Sequence, residues 1–189
     1  MNDILIYTEQ TSNRLTYTFD LLIKDLLGLN YELTSDKEKF TNHTAAKFSY
    51  ASQPVESEIF FGSAALLFET NYDLQPIYFE KHRELVGFYP VRKASVIPFD
   101  IFASTFFMVS RYEEYLPHEK DEYGRYAHTN SLAFKEGFLQ LPLVNVWLKE
   151  FKKALQHKFP SIRFKRTNFK CVLSYDIDMA YSYLYKGFV

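Results

Sequence analysis

Apolar positions at the start of the chain change period from strand to helix and back. Residues 4–8, ILIYT, read as a short buried strand. TSN at 11–13 offers helix N-caps, and Leu15, Phe19, Leu22, Ile23, Leu26 and Leu27 then recur at helical spacing. Gly28 is a natural stop for that helix. YELTSD (31–36) and AKFSYAS (46–52) predict a second and a third strand. EIFFGSAALLF (58–68) begins as a fourth, with Gly62 at its end or in a bulge. A strand–helix–strand opening followed by more strands predicts an α/β domain, a mixed or parallel sheet flanked by helices.

Residues 69–98 mix charge and apolar side chains, and predict two short strands around a turn near Gly87. His82, between Lys81 and Arg83, reads as solvated surface. Asp100 caps a helix over 101–116, with Phe102, Phe106, Val109 and Tyr112 on one side and Pro117 closing it. Pro142 opens a second helix whose stripe is Val144, Trp147, Leu148, Phe151 and Leu155, ending before Pro160. The polar-leaning stretch 117–142 lies between these helices, and a connection that long is functional or disordered. It carries His118, Asp121, Glu122, Arg125 and His128, at a spacing that matches no local metal pattern. Its simplest reading is a solvated loop. As a binding surface, it offers Arg125 and the neighbouring tyrosines.

Composition narrows the class without naming a function. The 189 residues include 22 basic and 23 acidic side chains, a net charge of −1 that gives no electrostatic case for nucleic acid or an anionic membrane. No stretch reaches the ~18 uninterrupted apolar residues of a membrane span. The opening MNDILIYTEQ lacks a basic region and a long apolar core, and Cys171 is the only cysteine. Together these predict a reducing, cytoplasmic setting. Nineteen Phe and 15 Tyr are the unusual numbers; spread along the chain, they read as core filling before they read as a sugar platform.

The first strand–helix turn, YTEQTSNRL, has no glycine and hence neither a dinucleotide fingerprint nor a phosphate loop. The sharper chemical signal is CVLSYDIDMAYSY at 171–183. Apolar alternation through Phe169, Cys171 and Leu173 predicts a strand ending near Tyr175, with Asp176 and Asp178 on one side of its C-terminal edge. Parallel α/β folds and barrels build their sites at that edge. Such a pair serves phosphotransferases, metal-dependent glycosyltransferases and metal-dependent deacetylases. Ala180 follows the second Asp where phosphotransferases typically place Thr or Val, and the N-terminal half lacks a phosphate-binding signal for a nucleotide sugar.

YDIDMAYSY resembles the spaced form of the first motif of metal-dependent polysaccharide deacetylases, the nodulation-type superfamily of carbohydrate esterase family four. PFDIFASTFFMVSRYEEY and DEYGRYAHTNSLAFKEGFLQLPLVNVW resemble the domain that precedes the deacetylase barrel in a group of bacterial proteins. The resemblance implies an accessory α/β domain over 1–168, followed at 169–189 by the first strand of a truncated (β/α) barrel. It implies Asp176 as general base and Asp178 as ligand to zinc or a similar divalent ion. A glycan or N-acetylated sugar is the implied substrate of the parent protein. No histidine follows Asp178, so the H-x-x-x-H ligand pair is missing and no metal is expected to stay bound to this chain alone. A severed apolar strand packs on its own domain, pairs with another molecule in self-association, or stays mobile. The alternatives are a stand-alone carbohydrate- or protein-binding module with no catalysis, and third, a D-x-D phosphotransferase fragment.

Overall fold

The apolar run at the N-terminus forms β1 (Asp3–Tyr7), the centre of a parallel sheet completed by β2 (Asn30–Thr34), β3 (Lys47–Ala51) and β4 (Ile59–Gly62). The structure, a computed structural model, describes residues 3–82, 85–91, 94–166 and 168–176. Strand order is β2-β1-β3-β4. Alternation along the strands sorts the two faces. Ile4, Ile6, Phe48, Tyr50, Ile59 and Phe61 belong to the large core. Leu5, Tyr7, Ala51 and Phe60 form a smaller cluster with Phe40. Burial on both faces explains why β1 and β4 read as continuous apolar runs, whereas edge strand β2 keeps Asn30 and Glu32 exposed.

Helix α1 (Asn13–Phe19) starts at Ser12, whose hydroxyl accepts from the Leu15 amide at 3.0 Å. It continues as a π-helical segment (Asp20–Leu26), where Leu27 N–H reaches back to Leu22 C=O at 3.1 Å. The wider turn keeps Leu22, Ile23 and Leu27 inside but leaves Leu26 exposed, against its expected place in the core. Gly28 ends the segment at φ +67°, the left-handed stop expected of it. A short helix that the sequence pattern did not reveal, α2 (Lys37–Asn42), is capped by Asp36 and seats Phe40 on the thinner face of the sheet.

Strands β5 (Phe79–His82) and β6 (Leu85–Phe88) pair antiparallel, as expected for 69–98. Gly87 sits inside β6 and not in the turn, because the ring of Phe99 lies 2.1 Å from where its Cβ would be. Helix α3 (Ile101–Val109) is shorter than expected and, over 101–107, buried on all sides. Phe102 is its anchor: it stacks on Phe48 and meets the edges of Phe19, Tyr50, Phe61 and Phe151 at centroid distances of 4.8–5.7 Å. Helix α5 (Leu143–Lys158) buries Trp147, Phe151 and Leu155 from its expected stripe. Most of the phenylalanine excess therefore lies in the core.

Asp100 ties these layers together. One carboxylate oxygen caps α3 through the Phe102 and Ala103 amides, both at 2.9 Å. The other accepts from Tyr50 Oη and the Ala64 amide, both at 2.7 Å. Burial pushes its pKa up to about 6, against the pull of these hydrogen bonds.

The stretch 168–176 differs from expectation. It has no regular secondary structure, and Phe169, Val172, Leu173 and Tyr175 are exposed. The strand expected there is absent because no described strand lies beside it to complete a ladder. Asp178 and the side chain of His82 lie outside the described residues.

Candidate functional site

In an open parallel sheet the default ligand crevice lies at the C-terminal ends of the strands where the order reverses, here between β1 and β3. That crevice is bridged in this protein. Glu9, just past β1, accepts from Ser52 Oγ at 2.6 Å and from the Ser52 amide at 3.2 Å. Ser12 Oγ donates to Leu67 C=O, and Arg14 reaches Leu66 C=O at 3.0 Å and Asn71 C=O at 2.6 Å. The turn without glycine is a structural junction.

The more open chemistry lies at the far end of α3. Arg111 takes a left-handed backbone (φ 54°, ψ 43°), which stops α3 and starts the 3₁₀ turn Tyr112–Tyr115. With three residues per turn, that segment points its side chains in three directions. Tyr112 and Tyr115 meet Tyr72, Tyr115 stacking on it at 4.8 Å, with the Arg14 guanidinium 5.4 Å from the Tyr72 ring. Arg111 and Glu114 pair with each other and face a cleft of about 810 Å³. Glu113 turns toward the 117–142 segment and accepts from the Leu132 amide at 2.7 Å.

The 117–142 segment is built, not slack. Lys120 and Tyr126 bridge as antiparallel neighbours. Asp121 Oδ1 accepts from the Tyr123 and Arg125 amides, each at 2.9 Å, and Oδ2 accepts from Arg125 Nε at 3.0 Å. The Arg125 amide is the main cause holding the Asp121 carboxyl below its ordinary range. Asn130 Nδ2 donates to the Glu119 and Ala127 carbonyls at 2.8 Å, and Ser131 caps the short helix α4 (Leu132–Lys135). Behind the cleft, a smaller cavity of about 180 Å³ gathers Gln75, Phe107, Glu113, His118, Tyr126 and Lys135. Burial raises the Glu113 pKa, and burial with the nearby Glu113 and Glu114 charges pushes Tyr126 up to about 12. The Tyr126 hydroxyl is buried and has no hydrogen-bond partner among the described residues.

The candidate residues read from the sequence fall in different places. Asp121, Arg125 and His128 line the cleft, joined by Arg111 and Glu114. His118 lies in the smaller cavity, its Nδ1 2.8 Å from Leu116 C=O, and its ring meets Tyr126 edge-on. His128 packs against Phe134. Glu122 is exposed. Among the described residues no three His, Cys, Asp or Glu side chains gather to hold a metal ion. Asp176 is exposed and belongs to no such group among the described residues, and one carboxylate by itself does not make a metal centre. Arg111, Glu113 and Glu114 went unread because helical spacing placed them on an uninterrupted helix.

A family profile matches residues 4–160 and so spans the sheet, α3, the cleft and α5. The chain belongs to DUF7033, a family of unknown function. No curated protein and no solved structure matches it. The DUF7033 match contains every residue that lines the cleft, whereas Asp176 lies beyond it. No helix among the described residues is long and apolar enough to cross a membrane.

Proposed function

We propose that this DUF7033 chain is the accessory region of a metal-dependent deacetylase acting on N-acetylated glycans, and is not catalytically complete by itself. The observation that supports this reading is the contrast at residue 168. Residues before it pack around one α/β core, whereas the apolar residues 168–176, which end on the first Asp of the D-x-D, lie exposed and unpaired with any described strand. An apolar alternating segment of that kind is stable when neighbouring strands cover it. In this reading Asp176 is the general base and Asp178 one ligand of zinc or a similar divalent ion. The histidine ligands come from outside 169–189, a stretch that contains none.

The test uses the longest natural reading frame that contains this chain. Acetate release from N-acetylglucosamine oligomers is measured with zinc, cobalt or nickel, alongside bound metal. Asp176→Asn should lower kcat by at least about 100-fold, the usual contribution of a general base. Asp178→Asn should lower metal content. A protein that holds no divalent ion and releases no acetate overturns the reading.

A second reading, a binding module without catalysis, is favoured by the prebuilt cleft over 111–129. It requires affinity from this chain alone, which the first does not.

A further inference from the structure

The geometry points to the cleft at Arg111 and Arg125 as a binding site for an uncharged saccharide. Each guanidinium is engaged from the side by one carboxylate, Arg111 through Nε by Glu114 and Arg125 through Nε by Asp121. Their terminal Nη groups have no hydrogen-bond partner among the described residues and are left to donate outward. One Glu114 carboxylate oxygen is likewise unbonded, and Thr129 adds a hydroxyl to the lining. Fixed donors alternating with acceptors match the vicinal hydroxyls of a sugar, each of which both donates and accepts.

Charge decides against an anion. The two cations in the cleft are balanced by Glu114 and Asp121, so an incoming phosphate, sulfate or carboxylate meets no net positive field. Beside the cleft, the Tyr123 ring is exposed and carries the Arg125 guanidinium 4.6 Å from its centroid. Sugar C–H groups could stack on this ring. The hydrogen bonds of Asp121 and Asn130 hold the loop in place before ligand arrives, which removes ordering cost from binding. The cleft volume of about 810 Å³ is large enough for a short oligosaccharide.

This assignment does not rest on the deacetylase reading, and its test separates the two. Titrate this chain with the tetramers of N-acetylglucosamine and of glucose, and with galacturonate trimer and sulfate as anionic probes. Follow amide chemical shifts and heats of binding. At least one neutral tetramer should bind, shift the 111–114 and 121–129 amides, and keep its affinity at about 0.5 M salt. Arg125→Ala should weaken it about tenfold or more, the loss expected for a charged hydrogen bond. Arg125→Lys tests loss of the fork without loss of charge and should weaken it too. Both changes are at an exposed side chain, and circular dichroism checks that the fold persists. No saccharide binding, shifts confined to another surface, or tighter, salt-sensitive binding of the anionic probes overturns the site. Any of these leaves the acetate-release test above as a separate question.

Discussion

Asp100 concentrates much of this fold in one side chain. Its carboxylate accepts four hydrogen bonds from β3, the turn after β4 and the first turn of α3. Asp100→Ala leaves buried donors unpaired and α3 without its cap, and should destabilise the protein at pH 7 by about 2 kcal/mol or more. The pH dependence has a definite sign. The folded carboxyl, near pH 6, titrates above an unfolded carboxyl at about 3.9. The proton-linked part of its contribution is therefore complete below about pH 3.9 and is lost as pH rises through 6, leaving the cap and hydrogen bonds of the ionised form. The gap between wild type and Asp100→Ala in urea unfolding should widen by up to about 3 kcal/mol from pH 7 to pH 4. A gap that stays constant or narrows contradicts this. The cap itself was legible in PFDIF; the Tyr50 and Ala64 partners, 50 and 36 residues away, were not.

At the scale of elements, the β5–β6 hairpin is held to the core by close approach. Gly87 exists for Phe99, whose ring occupies the space a Cβ would need. Trp147 on α5 secures the same hairpin, its indole donating to Val86 C=O at 2.8 Å. Gly87→Ala should cost about 2 kcal/mol through overpacking, read as a lower urea midpoint with an unchanged m-value. An unchanged midpoint would mean that Phe99 moves aside freely. Sequence placed this glycine in a turn because glycine is the usual turn residue. A tertiary contact gives it another role here. The same limit applies to α3, whose spacing continues through Tyr112 although Arg111 turns left-handed and breaks it. That break, invisible to periodicity, is what aims Arg111 and Glu114 at the cleft.

At the scale of the molecule, the α/β core closes without residues 168–176, whose apolar side chains face outward. A chain ending at Arg166 should therefore melt within about 2 °C of the full chain, as expected from the lack of any buried residue in 168–176. It should also self-associate less, because Phe169, Val172, Leu173 and Tyr175 are removed. Scanning calorimetry and light scattering read both. A large drop in melting temperature would show that this stretch packs on the domain.

The sequence by itself determined the α/β class, the four strands of the sheet, a cap for α1 within 11–13, the cap at Asp100 and the apolar stripe of α5. Each depends on local periodicity or on a side chain bonding its own turn, which neighbours in sequence encode. It also isolated 117–142 as a segment with more chemistry than a connection needs. Only the tertiary structure decided how that chemistry is arranged. Arg111 and Glu114, from the end of α3, meet Asp121 and Arg125 across a cleft, while His118 turns into a separate cavity. Pairings between residues distant along the chain are set by packing of the core and leave no period to read. The same physics left Asp176 outside the domain: a strand pattern specifies which face is apolar, but a strand forms only where another lies beside it.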